Sequence, residues 1–163
     1  MFQIAKDESF AGTSIPFGVL EVRYPGKEKW DERGFHELKE RELKEIKARA
    51  ESYDRKQSFD QDPYFRYFRK FKKTYPVMMQ AESFLLKGRP FPDFNPVNEV
   101  AFLAELKTYT LLGTHDVERI EGALILFRGT EKTPFPGMGG NDAHIYPGDI
   151  GGRDDRDIVL SMI

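Results

Sequence analysis

The chain has 163 residues, 39% hydrophobic and 32% charged, with 14 phenylalanines and a formal net charge of −2. A chain of this length buries roughly two-thirds of its unfolded surface, so one folded domain over residues 1–163 is expected, and extensive disorder is excluded by the supply of apolar side chains. The near-balanced charge excludes a surface given over wholly to gripping nucleic-acid backbone, so any RNA contact has to be local.

In chain order, Ile15 to Tyr24 alternates, with Leu20, Val22 and Tyr24 on one phase and Val19, Glu21 and Arg23 on the other. This pattern predicts a half-buried strand closed by the turn pair Pro25-Gly26. Residues 35–54 then predict a surface helix. Leu43, Ile46, Ala50 and Tyr53 recur at helical spacing, and four acid-before-base pairs such as Glu40-Lys44 lie along it. Its charge is read as solvation, with a partner helix as the alternative.

Asp62-Pro63 is an N-cap followed by proline at the first helical position, and Tyr75-Pro76 ends the segment, which predicts a helix over 64–75. Further helices are expected over 78–87, stopped at Gly88, and over about 97–111, stopped at Gly113. The apolar run ALILFR after Gly122 predicts a buried strand. Residues 135–152, rich in proline and glycine, read as loop, and Asp157 to Ile163 as a last strand. A strand so close to Ile163, with no polar tail, carries the expectation that more chain belongs after it, supplied by a longer polypeptide or a partner.

Several clusters are candidates for chemistry. In the 64–75 helix, Tyr64, Phe68, Phe71 and Tyr75 share one face, and Arg66, Arg69, Lys70 and Lys73 share the other. An amphipathic helix with its rings inward is one reading. RNA contact through the basic face alone is the other. Gly137 to Gly140 reads as a turn rather than a phosphate loop, because no Lys-Ser/Thr follows. His36, His115 and His144 are scattered, so no metal site or cofactor is assigned. His115-Asp116 is either a capping pair or part of a polar site. No serine lies in a nucleophile elbow. The absence of cysteine removes disulfides, thiolate nucleophiles and cysteine-held zinc. No apolar run nears membrane-span length, and Lys6, Asp7 and Glu8 interrupt the N-terminus. A cytoplasmic protein with no membrane partner is expected.

The run YFRYFRKFKKTYPVMMQAESFLLKGRPFP, followed by NPVNEVAFLAELKTYTLLGTHDVERIEG, resembles stand-alone proteins of the synthetase editing-domain family (the "B-three/B-four" domain of the phenylalanyl-tRNA synthetase beta chain). The similarity runs from Tyr64 to Ile163 and is most specific from Tyr75 to Gly122. It is carried by Asn95, Leu106, Lys107, Thr108, Gly113, Asp116, Ile120 and Gly122. The resemblance implies an α+β fold with an N-terminal strand and helices packed on a mixed or antiparallel sheet. It also implies binding of aminoacyl-tRNA or an amino acid, with hydrolysis of mischarged tRNA in trans as the enzymatic version. Substrate-binding candidates are Asn95, Lys107, Thr108, Thr110, Gly113, Thr114, His115 and Asp116. The alternatives are a non-catalytic RNA or small-molecule binding module and an interaction protein.

Overall fold

The computed structural model describes residues 2–93 and 95–163. The protein is α+β, and it divides into two compact units. The first comprises Met1–Arg23 and His115–Ile163; the second, Tyr24–Thr114, is inserted between them in sequence and holds the long helices.

The first unit is built on a four-stranded sheet in the order β1-β2-β5-β6. Its strands are β1 (Ile4–Lys6), β2 (Leu124–Arg128), β5 (Ile150–Arg153) and β6 (Ile158–Ser161). β1 runs parallel to β2 with Ile4 opposite Leu124, and the other pairs are antiparallel, so the sheet is mixed. β2 and β6 fall where the apolar runs place them. Two differences from the sequence expectation stand out. Residues 15–24 form no strand, and the strand near the N-terminus is Ile4–Lys6.

Residues 135–152 also correct the expectation of a plain loop, because they contribute to three strands. A hairpin pairs β3 (Thr133–Pro136) with β4 (Asp142–Ile145), and β5 follows. Gly137 donates its N–H to Asn141 at 2.7 Å, which sets the ladder phase so that Thr133 and Phe135 bond to β4. Pro134 and Pro136 fall on the outward phase, where a missing N–H costs no ladder bond. On β5, a Cβ at Gly151 would come within 2.6 Å of the Phe127 ring and 2.8 Å of Ile145. Glycine is there for close packing, not flexibility.

Asp154, just past β5, ties the turn into β6 by accepting the backbone N–H groups of Asp157, Arg156 and Glu121 at 2.7, 2.9 and 3.0 Å. These bonds, that of Asp157 first, hold its carboxyl down at about 2, against an ordinary 3.8. The folded pKa is depressed, so the stabilisation is complete above the ordinary value and lost as pH falls towards 2. Asp154→Asn keeps an acceptor but removes the charge. It is expected to lower stability at neutral pH and to flatten the stability curve in that acid window, as read from acid unfolding followed by circular dichroism.

The second unit contains α1 (Glu32–Lys47), α2 (Arg55–Phe59), α3 (Pro63–Lys70), α4 (Pro76–Leu85) and α5 (Pro96–Thr108). α1 begins before the expected Phe35 because Asp31 caps it, accepting from Gly34 N at 3.0 Å. The helix ends at Lys47 rather than running on to Asp54, so of the expected stripe Ala50 and Tyr53 fall in and just after the separate turn Ala50–Ser52. Leu43 and Ile46 meet Ala81 and Phe84 of α4 and Leu103 and Leu106 of α5 in one core. Charged groups on α1 do more than meet solvent: Glu42 and Glu45 reach Lys107 on α5, and Lys39 pairs with the buried Glu99 at 2.8 Å.

α5 stops at Thr108, not near Leu111, because Tyr109 takes the left-handed conformation at φ 59° and caps it. The buried Glu105 then holds the following loop by accepting Leu112 N–H at 2.9 Å, and burial pushes its carboxyl pKa up. Among the described residues no helix is long and apolar enough to cross a membrane.

Candidate functional site

α3 is short because both ends are fixed. Asp62 accepts Phe65 N–H at 2.8 Å at the start, with Pro63 in the first turn. At the other end Lys72 N–H bonds to Arg69 O and Lys73 N–H to Phe68 O, at 3.0 and 3.1 Å. This double closure requires a left-handed residue between them, and that residue is Lys72, at φ 57°. The helix expected over 64–75 is therefore corrected to Pro63–Lys70. Tyr75 belongs instead to the start of α4, from where it returns to the same aromatic cluster. It is fully buried, its ring lies 5.4 Å from Phe68 and 6.1 Å from Tyr64, and its hydroxyl donates to Tyr109 O at 2.7 Å.

With Phe68 buried on the inner side, the helical spacing of Arg66, Arg69 and Lys70 presents them together to solvent. Arg66 is pinned by the Asp60 carbonyl at 2.9 Å and by the Gln61 side chain. Arg69 lies over the Phe65 ring at 5.7 Å. Lys70, Lys72 and Lys73 are exposed and continue the patch past the helix end. Residues 63–74 hold these cations and no acid, so a chain of net charge −2 reverses sign locally. Among the described residues, Lys70 and Lys72 have no carboxylate within ion-pair distance. Beside the patch, the half-buried rings of Tyr67 and Phe71 meet at 5.1 Å. A row of cations flanked by rings can neutralise phosphates and offer a surface to a base.

Comparisons with protein-family models, with curated proteins and with solved structures gave no match.

The substrate-binding candidates are distributed along α5 and beyond it. Asn95 caps the start of α5, accepting Asn98 N–H at 3.1 Å. Lys107 and Thr108 occupy the last turn, roughly 20 Å away for a helix of this length. There Lys107 pairs with Glu42, while the Thr108 hydroxyl donates to Ala104 O at 2.8 Å and accepts Thr110 N–H at 3.2 Å. The structure thus brings Lys107, Thr108 and Thr110 together and leaves Asn95 apart. Gly113 and Thr114 are exposed at the end of the second unit, and His115 and Asp116 open the last part of the first. Asp116 caps the short turn Val117–Arg119 by accepting Glu118 N–H at 3.1 Å. Among the described residues no group of three or more His, Asp or Glu is placed to hold a metal ion. Gly137 to Gly140 makes the hairpin turn between β3 and β4.

Lys72 and Tyr67 are the functional candidates that sequence reasoning missed. The signal for Tyr67 was present, since it lies four residues before Phe71. Lys72 required the helix end to be known. A lysine in the left-handed region is strained relative to glycine, so Lys72→Gly is expected to raise stability by about 0.5–1 kcal/mol while removing one cation from the patch; if the patch holds an RNA, affinity for it falls. Urea unfolding and fluorescence anisotropy read the two effects separately.

The first unit has a hollow of about 300 Å³ lined by Phe135, Pro136, Arg153, Arg156 and Ile158 among others. Both arginines are already engaged, Arg153 with Asp7 at 3.2 Å and Arg156 with Glu121 at 2.6 Å and Asp157 at 3.0 Å.

Proposed function

We propose that the chain is an RNA-binding accessory domain of the synthetase-editing kind, which holds the backbone of a tRNA against the basic face of α3. The observation that carries this reading is the run Arg66, Arg69, Lys70, Lys72 and Lys73, exposed without an intervening acid on a protein of net negative charge. Cations meant only for solubility are commonly interleaved with acids, as they are along α1. The resemblance from Tyr64 to Ile163, most specific from Tyr75 to Gly122, supports tRNA as the RNA. Binding is the part of the reading that geometry favours over ester hydrolysis, because the polar candidates are spread over both ends of α5.

Fluorescence anisotropy with uncharged tRNA, repeated across salt concentrations, tests this. With Arg66 held by the Asp60 carbonyl and Gln61, phosphate contacts from the other four cations predict a slope of log affinity against log salt of about −3. A slope near zero, or no binding at low salt, removes the proposal. Adding mischarged tRNA and following ester loss asks separately whether the domain hydrolyses what it holds.

The hollow beside Arg153 and Arg156 favours a second reading, a small-molecule site for an amino acid or similar ligand. Its volume is at the lower end of the range for such sites. A thermal shift with an amino acid but not with tRNA supports this reading over the first.

A further inference from the structure

The stretch from Thr13 to Gly26 carries no helix and no strand, although its sequence alternates like one. Its large apolar side chains are left in solvent: Val19 is 62% exposed, Leu20 84%, Val22 50% and Tyr24 44%. Among the described residues the backbone groups of 16–25 make no hydrogen bond to backbone. The stretch is nonetheless anchored. Lys6 Nζ donates to Ile15 O at 2.5 Å, Phe2 N–H to the Glu21 carboxylate at 3.4 Å, and Phe17 meets Phe10 edge-on at 5.6 Å. An exposed apolar run with unused backbone donors and acceptors is a template for another strand.

We propose that the other strand is the same stretch of a second copy of this chain, paired antiparallel about a two-fold axis through Val22. An isologous interface needs a self-complementary surface, and this sequence has one in a single register. Centred on Val22, Glu21 of each copy lies opposite Arg23 of the other, and Leu20 lies opposite Tyr24. Leu20, Val22 and Tyr24 from both copies then share one apolar face, and the opposite face carries two ion pairs. Arg23 exchanges the long 3.4 Å contact with its own Glu21 for a cross-strand partner. Centring on Glu21 or on Arg23 instead sets like charges face to face, and an axis between Val22 and either neighbour sets Val22 opposite a charged side chain, which disfavours these other registers. Pro16 and Pro25 lack the N–H a ladder needs and so bound the strand.

Sedimentation velocity of the full chain without RNA, over a wide range of loading concentration, tests this directly. A mass rising from monomer to dimer is expected. Val22→Lys, which places two like charges on the axis at an exposed position, is expected to leave a folded monomer. Glu21→Arg alone weakens the dimer by about tenfold, and the exchange Glu21→Arg with Arg23→Glu restores it, because the opposed charges are merely swapped. A monomer at every concentration overturns the proposal. So does a dimer indifferent to Val22→Lys, or a charge exchange that fails to rescue the single variant.

Discussion

Replacing Lys70 and Lys72 together by glutamate is expected to lower tRNA affinity by about a hundredfold or more near physiological salt, since each reversal both removes a released counterion and repels a phosphate. It should also flatten the salt dependence by about two units of slope, one for each phosphate that is no longer neutralised. The fold should be indifferent: both side chains are exposed, and Phe68, whose burial anchors α3, is untouched. Unchanged affinity and slope in a variant that unfolds normally would remove the proposed RNA contact at α3. A loss confined to the lysines of α1, such as Lys44→Glu, would point to the longer helix instead.

Leu106→Ala should cost about 3 kcal/mol, from lost transfer energy and an unfilled cavity. Leu106 is 1% exposed and lies in the cluster formed with Leu43, Ile46, Ala81, Phe84 and Leu103. Side chains of α1, α4 and α5 meet there. Leu112→Ala is the internal control: that residue is 43% exposed, and a change within about 0.5 kcal/mol is expected. Urea unfolding of the two variants measures the difference, and similar midpoints would show that the three-helix core is not what stabilises this unit.

Local signals were the reliable ones. Asp62-Pro63 starts α3, because a capping oxygen and a preset φ act within one turn of chain. ALILFR became β2, since an unbroken apolar run has few alternatives to burial. The basic face was legible in part: Arg66, Arg69 and Lys70 lie on the exposed side of α3, because that face is set by where Phe68 is buried, whereas Lys73 is exposed past the helix end and not on it. Lys72 was not legible, because its importance comes from the left-handed turn that closes the helix.

Two misreadings have one cause. Residues 15–24 alternate as a strand should, yet pair with no strand among the described residues, while the proline- and glycine-rich residues 135–152 contribute to three. A strand exists only if a partner edge accepts its hydrogen bonds, and a partner edge is a property of the fold. By itself, then, the sequence determined the start of α3, the apolar positions Leu43 and Ile46 of α1, the central strand and the sign of charge on α3. Each depends on groups within a few residues of one another. Only the tertiary structure decided which segments became strands, why Gly151 must be glycine between Phe127 and Ile145, and how far apart the ends of α5 keep Asn95 and Lys107. Those outcomes depend on contacts between residues distant in the chain, whose loop-closure cost no local pattern records.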